Sequence, residues 1–396
     1  MRHRRYKLAV LVSHPIQYQV PLFQSLARHP AIDLRVFFCS SKGLELYRDP
    51  GFGVSFSWDV DLLRGYSSTV LKNVSPCPNR SSAIGFVNPG IVPLLVRGGY
   101  DAVWIHGWAV LTNWIAWASA VACRVPVLLR GEANGLNEPT GLKGVVKRTV
   151  LKAFFNQVSC YLAIGTNNAN FYRSYGIPDE HIFLTPYSVD NEFFMKRAGE
   201  LDGQKRLLRE KEGLSPDLPV ILFCGKFQEK KRPIDLLKAF AHLHDHPAAS
   251  LVFVGDGPLR SVMERFVAER HLGHVHILGF KNQQELPACY AMADLLVLPS
   301  SVEPWGLVVN EAMCCGLPVI VSDKVGAAAD LIRQGINGFI YPAGNLEALA
   351  ECMKRILANE EARCEMGRQS RGIISRWRIE EDLEGVVKAL EYVTSL

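Results

Sequence analysis

The sequence lacks several features that would place the chain in a specialised class of protein. Its 10 cysteines are scattered through apolar segments and no two show C-x-x-C spacing, which argues against a zinc site or a disulfide framework. We therefore expect small buried cysteines in a reducing compartment, with no bound metal and no cofactor. The net charge of +5 is mild, and no block of like charges is long enough for a polybasic tail, so no nucleic-acid partner is expected.

Long apolar runs are also scarce. The apolar segment 8–12 follows a basic N-terminus, but it is too short for a signal peptide. Residues 104–129 are almost free of charge and long enough to span a bilayer. However, Gly107, Arg124 and Pro126 divide this stretch into strand, helix and strand. We therefore expect a buried crossover at this point and a cytoplasmic protein.

Apolar, strand-like runs alternate regularly with helical segments along the chain. At 396 residues, with 48% hydrophobic and 21% charged residues, it exceeds the size of one hydrophobic core, so two domains are expected. Continuous short apolar runs are typical of parallel strands covered by helices on both faces. The predicted strands are 8–12, 34–40, 102–106, 125–130, 161–164 and 182–186, then 220–224, 251–254, 275–278, 295–298, 319–321 and 338–341.

One segment, 294–322, carries the strongest indication of a ligand site. It predicts a strand, a loop with Glu303, a helix from about Leu307 to Cys315 and a second strand. Glu303 would lie at the carboxyl edge of the sheet, where open α/β folds bind ligands, and Glu311 about one turn into the helix. The free N–H groups at the helix start favour an anion. Two carboxylates beside an anion site suit a nucleotide sugar, although a capping and a solvated glutamate would also fit this spacing.

The wording of that segment, EPWGLVVNEAMCCGLPVIVSD, resembles the signature of glycosyltransferase family 4 (group 1), whose members are retaining enzymes with the GT-B architecture. Glu303 and Glu311 match its E-x7-E pattern. The resemblance covers most of the chain, being strongest over 219–345 and weak before residue 120. It implies sugar transfer from a nucleotide-sugar donor to an acceptor hydroxyl.

The resemblance also implies a domain arrangement. The fold class is α/β, with two doubly wound Rossmann-like domains facing a cleft. Residues 1–195 would form the acceptor-binding domain and residues 218–375 the nucleotide-sugar-binding domain, with the linker at about 188–217. Residues 376–396 would form a helix that crosses back onto the N-terminal domain.

In the second domain, the loop after strand 220–224 resembles the family's Gly-Arg-x-x-x-x-Lys element. Lys226 stands at the arginine position and Lys231 at the lysine position, which keeps the charge but loses a bidentate guanidinium. Both would bind the donor diphosphate, while Glu303 would hold hydroxyls of the transferred sugar and Glu311 the ribose. Two glycines after strand 251–254 would allow close approach of the backbone to the ligand. The predicted donor-binding residues are Gly225, Gly255, Gly257, Phe280, Lys281, Gly306, Leu307, Val308 and Glu311.

The first domain departs from the family pattern at two places. The loop after the first strand, which includes His14, contains no glycine, and the histidine expected after strand 125–130 is replaced by Arg130-Gly-Glu132. Glu132 and His106, which follows the preceding strand, are the candidates for the missing catalytic role. Structural roles at strand ends remain the alternative for both.

Segment 142–155 combines apolar residues at helical spacing with Lys143, Lys147, Arg148 and Lys152. A basic amphipathic helix can lie on an anionic bilayer, which would suit a lipid-linked acceptor at the inner face of the membrane. An ordinary surface helix with its apolar face in the core is the alternative.

The sequence therefore predicts a retaining, metal-independent hexosyltransferase-type enzyme that acts in glycan, polysaccharide or glycolipid biosynthesis. Its partners would be a nucleotide-sugar donor and a glycan or lipid-linked acceptor. Two alternatives stay open, namely a catalytically silent GT-B protein that binds a nucleotide sugar, and a nucleotide-sugar 2-epimerase.

Overall fold

The computed structural model describes residues 5–78, 82–136, 141–243 and 249–395. The chain divides into two compact units, and it passes between them more than once. The N-terminal unit comprises Met1–Leu46, Val60–Tyr187 and Ile379–Leu396. The C-terminal unit comprises Tyr47–Asp59 and Ser188–Arg378.

The N-terminal unit is built on a seven-stranded parallel sheet. Its strands are β1 (Tyr6–Val12), β2 (Ile32–Phe38), β5 (Ser68–Val70), β6 (Ala102–His106), β7 (Val127–Arg130), β8 (Cys160–Ala163) and β9 (Ile182–Leu184). They lie in the order β5-β2-β1-β6-β7-β8-β9, with every pair parallel. The helices are α1 (Val20–Arg28), α2 (Ile91–Gly98), α3 (Leu111–Ala122), α4 (Gly141–Phe155), α5 (Thr166–Ser174) and α15 (Ile379–Ser395). All six strands predicted for this region are present.

Strand β1 illustrates why these strands are continuous apolar runs. Successive side chains point to opposite faces of a sheet, so Ala9 and Leu11 enter one core cluster and Leu8 and Val10 the other. All four are buried. Helix α15 covers the second face with an apolar side that includes Val386, which explains how the C-terminal end of the chain belongs to this unit.

The C-terminal unit contains a six-stranded parallel sheet and nine helices among its described residues. Its strands are β10 (Val220–Cys224), β11 (Ser250–Val254), β12 (Val275–Gly279), β13 (Leu295–Leu298), β14 (Val319–Ser322) and β15 (Gly338–Tyr341). Their order is β12-β11-β10-β13-β14-β15, again all parallel. The helices are α6 (Asn191–Glu200), α7 (Lys205–Lys211), α8 (Pro233–Ala241), α9 (Arg260–Glu269), α10 (Leu286–Met292), α11 (Leu307–Cys314), α12 (Ala328–Leu331), α13 (Leu346–Leu357) and α14 (Glu360–Ile374).

Two segments of the C-terminal unit differ from the expected organisation. The segment expected to be a linker, 188–217, instead forms α6 and α7, which pack on α10 and α11. Tyr47–Asp59, which the sequence placed with the first domain, joins the C-terminal unit. It contains two short antiparallel strands, β3 (Tyr47–Arg48) and β4 (Ser55–Phe56). We call Tyr47–Asp59 the hairpin segment.

Each sheet has a point at which the strand order reverses direction, β1/β6 in the first and β10/β13 in the second. Loops after the carboxyl ends of strands at such points form the ligand-binding crevices of open α/β folds. Within the described residues, no helix is both long and apolar enough to cross a bilayer. The stretch 104–129 is divided among β6, α3 and β7, as the sequence analysis expected.

Candidate nucleotide-sugar site

The Glu303 loop follows β13 and is fixed by the backbone of the next βα connection. The N–H of Gly326 donates to the carbonyl of Glu303 at 3.0 Å, and that of Ala327 to Trp305 at 3.0 Å. A Cβ at Gly326 would lie 1.8 Å from the carbonyl oxygen of Pro304, so only glycine permits this approach. The sequence analysis missed this role of Gly326. The loop is therefore held in one position relative to α11, which starts directly after it.

Two predicted site residues, Lys231 and Glu303, form an ion pair in this loop. The Lys231 ammonium donates to Glu303 Oε2, and Ser300 Oγ donates to the same oxygen at 3.2 Å. The Glu303 side chain is only 10% exposed. The N–H of Ser301 donates to the carbonyl of Lys230 at 2.8 Å. The β10 and β13 loops, which flank the reversal point, are thus joined by both backbone and side-chain contacts.

Glu311 lies in the second turn of α11 and is 9% exposed. Burial raises the pKa of its carboxyl to about 7, although a hydrogen bond from Tyr290 Oη, at 2.6 Å, opposes the shift. Tyr290 is fully buried in α10, and the sequence analysis did not predict it. Gly306 precedes the helix, while Leu307 and Val308 form its first turn and are half-buried. Their N–H groups are among those that an α-helix leaves without an intrahelical acceptor.

The two glycines after β11 are required by packing of the chain itself. A Cβ at Gly255 would lie 1.9 Å from the carbonyl oxygen of Gly225. A Cβ at Gly257 would lie 2.7 Å from the carbonyl oxygen of Phe227 and 2.9 Å from that of Gly51. Both glycines have positive φ, 136° and 154°. The structure therefore supplies an internal reason for these glycines, and close approach to a ligand stays a prediction.

Lys226, the other predicted phosphate ligand, is paired within the unit. Its ammonium donates to Asp49 Oδ1 at 2.8 Å and lies 4.7 Å from the ring centroid of Phe52. Asp49 is buried, which opposes its ionisation, but the hydrogen bond from Lys226 and the N–H groups of Phe52 and Gly51 hold the pKa of Asp49 below its usual value. The sequence analysis did not include Asp49, which lies 177 residues from Lys226.

Phe280 and Lys281, predicted to bind the donor, follow β12. The Phe280 ring stacks on Phe56 with centroids 4.3 Å apart. The Lys281 ammonium pairs with Glu212 at 3.2 Å and with Glu285 at 3.8 Å. Lys281 is thus partnered on both sides, whereas Phe280 belongs to an aromatic cluster with the hairpin segment.

In the N-terminal unit, His106 and Glu132 are brought together by Tyr187. The amide nitrogen of Gln19 lies 3.3 Å from His106 Nδ1, and His106 Nε2 lies 3.4 Å from Tyr187 Oη. Tyr187 Oη in turn donates to Glu132 Oε1. Because an amide nitrogen can only donate, Nδ1 accepts and the neutral imidazole carries its proton on Nε2. These groups form one directed chain that ends at the carboxylate of Glu132, which is 42% exposed.

Burial, reinforced by the charge of Arg130, lowers the pKa of His106 to about 3, so the ring is neutral at physiological pH. Tyr18 Oη lies 3.4 Å from Tyr187 Oη. We refer to Tyr18, Gln19, His106, Glu132 and Tyr187 as the strand-end cluster. Its two tyrosines and Gln19 were not predicted, because nothing in their local sequence marks them.

Arg130 has a structural role. Its guanidinium is 1% exposed and forms two hydrogen bonds to the carboxylate of Asp382 in α15, at 3.1 and 2.9 Å. It also donates to the carbonyl of Thr185 at 3.1 Å. The Tyr187 ring lies 4.9 Å from the guanidinium carbon. Arg130 thereby supports the strand-end cluster and ties α15 to β7.

Known proteins resemble this chain in both sequence and fold. Residues 204–372 match the family described as glycosyl transferases group 1. This match covers less than half of the chain. The chain is 29% identical to N-acetyl-alpha-D-glucosaminyl L-malate synthase of Bacillus anthracis over 194 residues, which are 49% of each chain. It is 27% identical to the D-inositol 3-phosphate glycosyltransferase of Xylanimonas cellulosilytica over 301 residues, which are 72% of this chain and 70% of that enzyme.

The chain thus spans about half of the Bacillus enzyme's length. Among solved structures, Anabaena HepE, crystallised with UDP and glucose, superposes with a TM-score of 0.73 at 17% identity, covering 99% of this chain and 100% of that one. At this identity the likeness concerns the fold alone. The prediction of two doubly wound, GT-B type sheets is confirmed, and the match over residues 204–372 agrees with the predicted resemblance to group 1 glycosyltransferases.

Proposed function

We propose that this protein transfers a sugar from a nucleoside diphosphate donor to an acceptor hydroxyl, with retention at the anomeric carbon and without a metal ion. The observation that carries the proposal is the Lys231–Glu303 pair beside the start of α11. In this proposal Lys231 binds the diphosphate, and the adjacent Glu303 carboxylate binds the sugar hydroxyls. Charge that develops on the leaving phosphate is best stabilised by groups fixed beforehand.

The two glutamates receive different roles. Glu311 accepts hydrogen bonds from the ribose, which the donor and the product nucleotide share, whereas Glu303 contacts the transferred sugar alone. Glu311→Gln should therefore weaken nucleoside diphosphate and intact donor by similar factors. Glu303→Gln should not weaken product binding and should lower turnover, because its contacts tighten as the sugar gains positive character.

The experiment begins with a thermal-shift screen of nucleotide sugars, since a ligand specific for the folded state raises stability with its concentration. Calorimetry with UDP and GDP then compares the wild type with both glutamine variants. Equal loss of nucleoside diphosphate affinity in the two variants would contradict the assignment of roles. Wild-type behaviour of both would remove the glutamates from the site.

A silent nucleotide-sugar binder is the second candidate, and the pairing of Lys226 with Asp49 favours it. Single-turnover release of free nucleotide in the presence of an acceptor separates the two, because a binder releases none. A 2-epimerase would instead release nucleotide or convert the donor without any acceptor.

We also propose that the acceptor is a glycan or is linked to a lipid, and that α4 contacts an anionic membrane at its inner face. The first half of α4 exposes Leu142, Val145 and Val146 by 79%, 62% and 55%. In the second half, Phe154 and Phe155 are buried in the core. Lys147 and Lys152 belong to the same helix, so apolar and basic groups share one segment. The side chain of Lys143 lies outside the described residues.

Co-sedimentation with vesicles tests this contact. Anionic vesicles should retain the wild type, and the paired variant Val145→Gln, Val146→Gln should lose most of this retention, because both apolar side chains and their burial in lipid are lost. Leu207→Gln, a matched control that is 61% exposed in α7, should behave as the wild type does. Equal retention by purely zwitterionic vesicles would argue against an electrostatic contribution.

A further inference from the structure

The hairpin segment lies directly against residues assigned to the donor. The carbonyl of Gly51 would be 2.9 Å from a Cβ at Gly257, and a Cβ at Gly51 would itself lie 2.7 Å from Cδ of Lys226. The backbone of the hairpin segment therefore covers the glycine turn after β11 and the side chain of Lys226 at once. The contact with Gly257 is one of backbone against backbone, so it requires a glycine at position 257, and the contact with Lys226 places its side chain directly against Gly51.

Further contacts hold the hairpin segment along its length. Phe52 and Phe56 pack on Phe280, with ring centroids 4.9 and 4.3 Å away. Asn282 Nδ2 donates to the carbonyl of Ser57 at 2.7 Å. The N–H of Gln284 donates to Asp59 Oδ2 at 2.9 Å. Ion-pair, aromatic and hydrogen-bond contacts thus join the segment to the loops after β10 and β12.

Charge is the decisive feature of this contact. Asp49 is 8% exposed, whereas Lys226 is 33% exposed, so an anion from solution can reach the lysine while the aspartate stays in place. The carboxylate is oriented by the N–H groups of Gly51 and Phe52 at 2.8 and 3.0 Å. It therefore remains beside Lys226 as a fixed negative charge, and any phosphate approaching Lys226 meets that charge as well.

We propose that the hairpin segment is a wall of the donor site and that Asp49 sets the affinity for the donor diphosphate by competing for Lys226. This rests on the proposed function. Asp49 acts through Lys226 and is a positioning residue, which contacts no reacting atom. Its competition weakens binding of donor and product nucleotide, and so favours release of the product.

Asp49→Asn is the direct test, because the amide oxygen can still accept from both N–H groups while the charge is removed. UDP and GDP affinities should rise by roughly three- to tenfold, as expected when a repulsive charge beside the partly exposed Lys226 is removed, and should become more sensitive to salt. Uridine and guanosine, which lack phosphate, should bind as they do to the wild type. Should Asn fail to fold, Asp49→Ser also supplies a turn acceptor without charge.

Asp59→Asn is the matched control, because it removes the same charge from the same segment without touching Lys226. It should leave nucleoside diphosphate affinity unchanged. In a Lys226→Gln background, Asp49→Asn should lose its effect.

Two results would overturn the inference while leaving the proposed function intact. The first is a gain in nucleoside diphosphate affinity that persists in the Lys226→Gln background. The second is an unchanged or lower affinity in Asp49→Asn. Failure of the wild type to bind any nucleoside diphosphate would instead refute the proposed function, and the inference with it.

Discussion

Polar groups lie at the strand ends of both units, but they are charged in one unit and mainly neutral in the other. In the C-terminal unit, Lys231 and Glu303 form an ion pair whose side chains are 19% and 10% exposed. In the N-terminal unit, the strand-end cluster consists mainly of neutral donors and acceptors, since the His106 imidazole is neutral near pH 7. The buried ion pair of that unit, Arg130–Asp382, lies beneath its cluster and is closed to solvent.

This difference separates charged pairs that are able to bind a ligand from charged pairs that only hold the fold together. A charged pair with some exposure can exchange partners with a ligand, as we propose for Lys231. A fully buried pair cannot, because each partner would then be left unsatisfied at low dielectric. The tyrosine, glutamine and neutral histidine groups of the strand-end cluster offer hydrogen bonds without a compensating charge, as hydroxyl groups require.

The largest expected effect concerns the buried pair. Arg130→Met leaves Asp382 buried without its cation, so the N-terminal unit should lose roughly 3–5 kcal/mol of unfolding free energy. Hydrogen exchange of β6 and β7 reports this loss separately from the other unit. Arg173→Ala is the control, because its pair with Asp179 is 45% and 74% exposed and should contribute at most about 1 kcal/mol. Similar losses in both variants would remove the distinction drawn between the pairs.

Substitution of Lys231 should affect ligand binding, whereas substitution of Arg130 affects stability. Lys231→Ala should weaken UDP or GDP by roughly 1.5–3 kcal/mol, the range for hydrogen bonds to charged groups, and Lys231→Arg should recover part of it. Lys231→Ala also removes the lysine partner of Glu303. The same substitution should therefore be repeated in a Glu303→Gln background, which separates loss of phosphate binding from loss of the ion pair. Calorimetry that finds equal affinity for wild type, Ala and Arg would exclude Lys231 from the site.

Glu311 supplies a pH-dependent test of smaller size. Its carboxyl has a raised pKa of about 7 in the folded chain, so a ribose that requires the carboxylate should bind better as pH rises through neutrality. Between about pH 6 and about pH 8, the affinity of wild type relative to Glu311→Gln should rise up to about tenfold. The ionisation of phosphate itself is common to both proteins and cancels in this ratio. A constant ratio would show that the carboxylate does not contact the nucleotide.

The same shift has a consequence for stability. A raised pKa means that the folded state holds the proton more tightly than the unfolded state, so the carboxyl destabilises the fold progressively as pH rises from about 4.5 to about 7. Unfolding measured over this window should show a steeper decline in wild type than in Glu311→Gln. Parallel pH profiles for the two proteins would contradict the raised pKa.

The smallest effect is expected at His106. Because the pKa of its ring is lowered to about 3, the shape of a turnover profile between about pH 5 and about pH 8 should not depend on it. The unfolded chain does bind a proton near the usual value of about 6.5, so wild type should lose stability faster than His106→Gln as the pH falls below that value. A turnover step near pH 6.5 that disappears in His106→Gln would show a titrating catalytic histidine instead.

Much of the fold followed from apolar patterning. Each predicted strand is present, because a parallel strand buried on both faces requires an uninterrupted apolar run, and that run is visible locally. The carboxylates at 303 and 311 were also placed correctly on a loop and a helix, since Gly316 and Pro318 mark where the helix must end. The hairpin segment was missed because its strands have two residues each, too few for any period to show.

The sequence by itself determined two doubly wound sheets, the order of their elements and the group 1 signature, because these depend on local pattern. Only the tertiary structure decided which charges meet. Lys231 and Glu303 are 72 residues apart, Lys226 and Asp49 177, and Arg130 and Asp382 252. Such pairs depend on which loops the sheet order brings together, and a polar side chain carries no local mark of its distant partner.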